Sequence, residues 1–327
     1  MAKAVRVIGA LALAAMCAPG TWLRTPVVKE TPKAIALAQV AGPSTTSIPG
    51  WSVEGVWHYS TGPSLRFGGF SGLLPLGGGR LRAFSDRGFL FTFIEPDRLE
   101  ESPQTRLIAG LPLADPSLFP LLWDIESVTR DPGSKGDYWV GYENTHAIHR
   151  FSYRTEPEKV RILEDEVDWY ANAGLEAMVR LSDGRFLIIP ERHEEALIFA
   201  GDPVEGGEPQ VTAFDNPEPE FAVTDITQLP DGRLLYLMRD VVWDYPPFGG
   251  MLAISDAPDA GSATPLAPKT LFRFDDVLPP ENYEGIAVRL LDDGTVAVWI
   301  ISDDNIAAMQ RTLLAKLVYD PAARSIE

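Results

Sequence analysis

Cysteine is all but missing from this chain of 327 residues: Cys17 stands alone. It sits in an N-terminal stretch, Met1 to Gly20, where Lys3 and Arg6 precede an apolar run from Val7 to Ala18. A basic start followed by a short apolar run reads as a secretory leader rather than a membrane span, with an uncleaved anchor as the alternative. Cleavage after Ala18, or at Ala36 to Ala38, would remove the one thiol. A disulfide framework, a thiol nucleophile and a cysteine-based zinc site are then excluded. The expected division is a leader over 1–38 and one globular domain over 46–327, acting as a monomer in the periplasm or outside the cell.

Positive charge is also scarce, with 28 lysines and arginines against 46 aspartates and glutamates, a net charge of −18. Met1 to Ala38 carries +4 (Lys3, Arg6, Arg24, Lys29 and Lys33 against Glu30), which leaves −22 on the remainder. Such a surface repels nucleic acid and anionic membrane, so neither is expected as a partner beyond an N-terminal anchor. There is no long helical periodicity, no Rossmann glycine series and no interdomain linker. Gly77-Gly-Gly79 lacks the lysine of a phosphate loop, and Gly69-Phe-Ser71-Gly72 is followed by Leu73 where a serine-hydrolase elbow needs glycine. His146 and His149 lie three apart in a strand-like segment and need not share a face. His193, after Glu191-Arg192, could act as a general base. No organic cofactor is implied.

What the chain does have is a repeated hairpin. In Leu175 to Arg192 (LEAMVRLSDGRFLIIPER), two apolar strands flank Ser182-Asp183-Gly184 and a glutamate stands at each outer end. Antiparallel strands reverse at the turn, so Glu176 and Glu191 fall at the same edge. The pattern recurs from Ser71 to Asp86, Glu126 to Glu143, Asp225 to Asp240 and Glu284 to Asp303. Its starts lie 49 to 59 residues apart. A period near 50 in an all-β chain predicts a β-propeller of four-stranded blades, and the count of repeats allows five or six. Trp51 to Tyr59 and Thr312 to Tyr319 also read as strands, and together they could close the ring as a shared terminal blade.

Blades in a common orientation bring the bracketing residues to one mouth of the central channel. The expected metal ligands are Asp86, Glu126, Glu143, Glu176, Glu191, Asp225, Glu284 and Asp303, with Asn172, Asn282 and Asn305 adding neutral oxygens. An oxygen-rich set without cysteine suits a hard cation, and calcium tolerates irregular geometry better than magnesium. Glu176, Glu191 and Asp225 are the candidates for positioning metal or water. Arg192 and Arg239 are the candidates for holding an anionic substrate group, with Arg87 in a similar place.

The phrases GGFSGL with FSDRG, DIESV with GYEN, NAGLEAM with PER, TDITQLPDGRLLYLMRD, and NYEGIAV with SDDN are similar to those of the phytase-like family described as "esterase-like activity of phytase". They run from Gly68 to Asn305. The resemblance implies an exported, six-bladed propeller and a hydrolase of phosphate or carboxylic esters, often with calcium, acting on a small anionic ester. A non-catalytic periplasmic binding propeller with structural calcium and a lactone hydrolase are the alternatives.

Overall fold

The computed structural model describes residues 24–326, apart from 47, 99–105, 114, 119–120, 132–135, 170–173, 192–193, 244–245, 262–263 and 276. Residues 1–23 of the expected leader, Cys17 among them, and Asn172, Arg192 and His193 therefore lie outside the described residues, whereas 24–38 are described and Ala36–Ala38 lie in a strand. Among those described, no helix is long and apolar enough to cross a membrane.

Four sheets contain four antiparallel strands each, in chain order. Blade 1 comprises Phe70–Leu76, Arg80–Ser85, Phe89–Ile94 and Arg106–Gly110. Blade 2 comprises Ile125–Arg130, Tyr138–Tyr142, Ala147–Phe151 and Pro157–Ile162. Blade 3 comprises Ala177–Arg180, Phe186–Ile189, Glu195–Phe199 and Gln210–Ala213. Blade 4 comprises Ala222–Gln228, Leu234–Val241, Phe248–Ser255 and Lys269–Arg273. In blade 5, Asn282–Leu290, Val296–Asp303 and Thr312–Tyr319 are followed outward by Trp51–Ser60 and then Ala36–Ala41. The register there pairs Thr312 with Tyr59 and Tyr319 with Trp51. This sheet begins before residue 46, since Ala36–Ala41 belongs to it.

The first strand of each blade packs on that of the next, and blade 5 packs back on blade 1. Five blades complete the circle, so the six expected from the family resemblance is corrected to five. The cores agree, with one apolar cluster at each blade interface. Trp139, Phe186 and Ile188 join blades 2 and 3; Tyr59, Phe91 and Trp299 join blades 5 and 1. Both faces of a middle strand are thus covered, which explains why Phe186–Ile189 and Val296–Ile301 read as continuous rather than alternating apolar runs. Burying a large side chain such as Phe186 contributes about 1.5–3 kcal/mol.

Three inner hairpins use one turn. Leu181, Leu229 and Leu291 each donate N–H to the carbonyl four residues on, in Arg185, Arg233 and Thr295. The glycine before each acceptor has a φ of 94°, 92° and 87° at Gly184, Gly232 and Gly294. A side chain is disfavoured in that left-handed conformation, so Asp-Gly sets where each hairpin reverses and hence which residues reach the far end.

Candidate metal centre

The register aligns the five blades residue by residue. Phe70 pairs with Ser85, Ile125 with Tyr142, Val223 with Met238 and Tyr283 with Ser302. Immediately after each, the first strand slips by one residue. A bulge of this kind bends the strand and re-aims the extra side chain. The extra residues are Ser71, Glu126, Thr224 and Glu284, and Glu176 holds the corresponding place just before the inner strand of blade 3. A second tier follows the paired residue of the neighbouring strand: Asp86, Glu143, Glu191, Arg239 and Asp303. Backbone bonds hold three of these alike, from Asp86 N to Gly69 O (2.8 Å), Glu143 N to Asp124 O (3.0 Å) and Glu191 N to Gly174 O (3.3 Å).

The whole second tier, the three glutamates of the first, Asp124 and Asn305 enclose a cavity of about 200 Å³ at one mouth of the channel. Eight carboxylates and one guanidinium stand among those ten residues. Asp124, Glu126 and Glu143 each offer an oxygen within 4.8 Å of the other two. Asp124 has a φ of 69°, and Asn144 Nδ2 donates to its Oδ2 at 2.7 Å. Glu176, Glu284 and Asp303 are 6%, 7% and 6% exposed.

The guanidinium is already engaged. Arg239 Nη1 donates to Glu284 Oε1 (2.5 Å) and Asn282 Oδ1 (2.7 Å), while Nη2 lies 3.6 Å from Glu191 Oε1. Asn282 Nδ2 also donates to Glu284 Oε1, at 2.7 Å. Asp303 Oδ1 accepts from Asn305 N at 2.6 Å. On the remaining side, Ser85 Oγ donates to Asp86 Oδ1 (2.9 Å) and Arg87 Nη1 pairs with it (3.0 Å). Arg87 is otherwise spent on the carbonyls of Leu65 and Gly68, so it braces the loop instead of facing the cavity. Gly68 and Gly69 are required here. A Cβ at Gly68 would meet Asp304 Oδ2 at 2.4 Å, and one at Gly69 would meet Asp86 Oδ1 at 2.3 Å.

Burial first, and mutual repulsion second, hold Glu126 and Asp303 well above the usual carboxylate range. Glu176 is also well above it, through burial and then repulsion from Glu191, against the pull of Arg239. The same causes push Asp86 to about 6, where Arg87 opposes burial, and Glu143 to about 7. Burial raises Glu284 against the pull of Arg239. With no cation present, these groups reduce their repulsion by keeping protons.

Asp225 departs from the sequence expectation. It does not line this cavity; its Oδ1 accepts from Ile226 N and its Oδ2 from Ile286 N, both at 2.8 Å. It ties blade 4 to blade 5, and Thr224 occupies the bulge position. Asp240 likewise stands one residue beyond the position that faces the mouth, which Arg239 fills. Asn282 supports Arg239 from outside the lining. Asp124 was missed by reading hairpins from their bracketing residues, although it precedes Glu126 by two, as Asn282 precedes Glu284. Of the histidines, His149 is fully buried with both ring nitrogens lacking partners, and burial lowers it to about 4. That is a core residue. A larger groove of about 770 Å³ between blades 3 and 4 opens on Glu191 and Arg239 and carries Glu194, Asp215, Glu220 and Asp240.

Fold and site together define a β-propeller with an acidic channel mouth. The chain belongs to the phytase-like family described as "Esterase-like activity of phytase", whose profile matches residues 65–306. No protein of curated function matches the chain. Among solved structures, it is similar to the extracellular domain of a hybrid two-component system from B. thetaiotaomicron (12% identity, TM-score 0.41). That likeness covers 87% of this chain, which spans only 34% of the other's length. It is also similar to a catalytically inactive virginiamycin B lyase from Staphylococcus aureus (11% identity, TM-score 0.40, 88% of this chain and 100% of that one). The calcium-binding protein regucalcin from Agrobacterium tumefaciens shows 15% identity and a TM-score of 0.43, over 89% of this chain and 92% of its own.

Proposed function

We propose that the chain is an exported, calcium-dependent hydrolase of small carboxylic or phosphate esters, with the acidic mouth as its active site. The observation that carries this reading is the convergence of eight carboxylates on one small cavity whose one guanidinium among the described residues is already bound. Glu176 is 6% exposed and lies beside the carboxylates of Glu191, Glu284 and Glu143 and the guanidinium of Arg239. The hydroxyl of Ser71, 1% exposed, leans toward Glu284 without closing a hydrogen bond. Oxygen donors of both kinds, carboxylate and amide, fit a hard cation. Asp124, Glu126 and Glu143 are the residues we assign to hold it.

When bound, calcium would polarise the ester oxygen and lower the pKa of a water. Glu191 and Glu176 stand on adjoining tiers of one blade and are placed to accept a proton from that water. Arg239, fixed by Asn282 and Glu284, orients Glu191 and faces the substrate anion. The groove between blades 3 and 4 is the route to these groups, and its four carboxylates disfavour a polyanion such as phytate. Asp225 has no catalytic part in this scheme.

The test is a screen of purified protein on p-nitrophenyl acetate, p-nitrophenyl phosphate, phytate and simple lactones, with calcium or chelator. Turnover of a monoester that chelator abolishes, and that Glu176→Gln with Glu191→Gln removes, is the expected result. Firm calcium binding without turnover of any substrate would replace the hydrolase with a binding propeller.

A further inference from the structure

The opposite end of the channel holds a second cavity, of about 530 Å³, formed where the inner strands of all five blades finish. Its size falls within the range of about 300–1,000 Å³ typical of small-molecule sites. Leu73, Val128, Val179, Ile226 and Ile286 give it apolar walls, and Arg130, Arg180 and Arg289 are its charged residues. Among the described residues no carboxylate lines it, in a chain whose net charge is −18. Arg130 also borders an adjoining cavity of about 230 Å³ that carries Arg80 and Arg82, again without a lining carboxylate.

The three guanidinium groups differ in how far they are satisfied. Arg289 is neutralised by the fully buried Glu95, through bonds of 2.8 and 2.5 Å. Arg180 lies 5.0 Å above Trp139 and 5.2 Å above Phe186, which fix its plane. Its Nε is buried without an acceptor, and Asp131 stands 3.7 Å from Nη2. Arg130 donates to the Pro75 carbonyl, and burial lowers its pKa against the pull of Asp131. The nearby turn acids Asp183 and Asp231 pair with Arg185 and Arg233 of their own hairpins. Asp131 pairs with Arg180 and pulls on Arg130, so these two guanidinium groups share one carboxylate and Arg180 Nε is left for a further anion.

We propose that this end of the channel is a binding site for a small organic anion, a carboxylate or phosphate monoester on an alkyl or aryl body. Arg130 and Arg180 hold the oxyanion and the inner strands enclose the apolar part. A planar donor pair matches either oxyanion, and the apolar wall demands the body. This site is independent of the mouth and of the hydrolase reading.

Calorimetric titration of the full chain with octanoate, phenyl phosphate, inorganic phosphate and uncharged octanamide separates charge from body. Octanoate or phenyl phosphate should saturate one site below millimolar, with inorganic phosphate and octanamide at least tenfold weaker. Arg130→Gln and Arg180→Gln should each weaken the amphipathic anion at least tenfold and leave calcium affinity at the far mouth unchanged. Should Arg180→Gln fail to fold, Thr227→Phe, which narrows the same cavity, gives the same readout. Absence of saturable binding by both amphipathic anions, equal affinity for inorganic phosphate, or undiminished binding in the folded variants would overturn the proposal.

Discussion

The two ends of the central channel are built from the same five strands and carry opposite charge. At one mouth, bulges aim Glu126 and Glu284 inward, Glu176 holds the matching place in blade 3, and the next tier adds four more carboxylates around the one engaged arginine of the described lining. At the other, arginines line the wall, while acids of the hairpin turns are matched by arginines two residues on, as in Asp183 with Arg185 and Asp231 with Arg233. Most of an acidic chain's carboxylates can thus serve solubility or turn structure. What separates the mouth is that its carboxylates have each other for neighbours, and that arrangement is unfavourable unless a cation or protons compensate.

The largest effect expected from breaking this contrast is at the mouth. Glu126→Gln combined with Glu143→Gln removes two of the three clustered ligands, and calcium affinity measured by titration should fall on the order of 100-fold. Asp225→Ala should do the reverse, leaving calcium affinity intact while stranding the N–H groups of Ile226 and Ile286. Urea unfolding should show a loss of about 3 kcal/mol. A loss of metal binding with unchanged stability would return Asp225 to the site.

The pH dependence sharpens the comparison further. Asp86 and Glu143 have ordinary values of 3.8 and 4.5 and folded values of about 6 and about 7. The folded state therefore binds more protons than the unfolded state across that window, and stability falls as pH rises through it. The melting temperature of metal-free protein should drop between pH 5 and pH 7.5, and calcium should restore it more at pH 7.5. A metal-free melting temperature that rises over that interval would contradict the repulsion on which the site rests. The smallest effect belongs to the far rim. Asp183→Ala in its exposed turn pair should change stability by only about 0.5 kcal/mol.

The architecture was legible because its signals are periodic: Asp-Gly turns, apolar middle strands and a spacing near 50 residues. The blade number was less so: Trp51 to Tyr59 and Thr312 to Tyr319 both read as strands of a shared blade, but only their pairing with the hairpin of Glu284 to Asp303 shows that they complete a fifth blade instead of adding a sixth. The site was legible to within one residue. A bulge inserts an extra position that alternation cannot reveal, and a slip of one turns a side chain to the other face. That slip put Asp225 in place of Thr224, while Glu126, Glu176 and Glu284 do line the mouth. Aligning the blades on the apolar residue at that place (Phe70, Ile125, Leu175, Val223 and Tyr283) would have found Thr224 and Asp124 together, with Arg239 in the same tier as Asp86, Glu143, Glu191 and Asp303.

The most direct measurement is calorimetric titration of metal-free protein with calcium at pH 7.5 and pH 5.5, for the native chain and for Glu126→Gln with Glu143→Gln. The account requires saturable binding that releases protons, weakens at pH 5.5 and falls on the order of 100-fold in the double variant. Absence of binding, or equal binding in native and variant proteins, would contradict it.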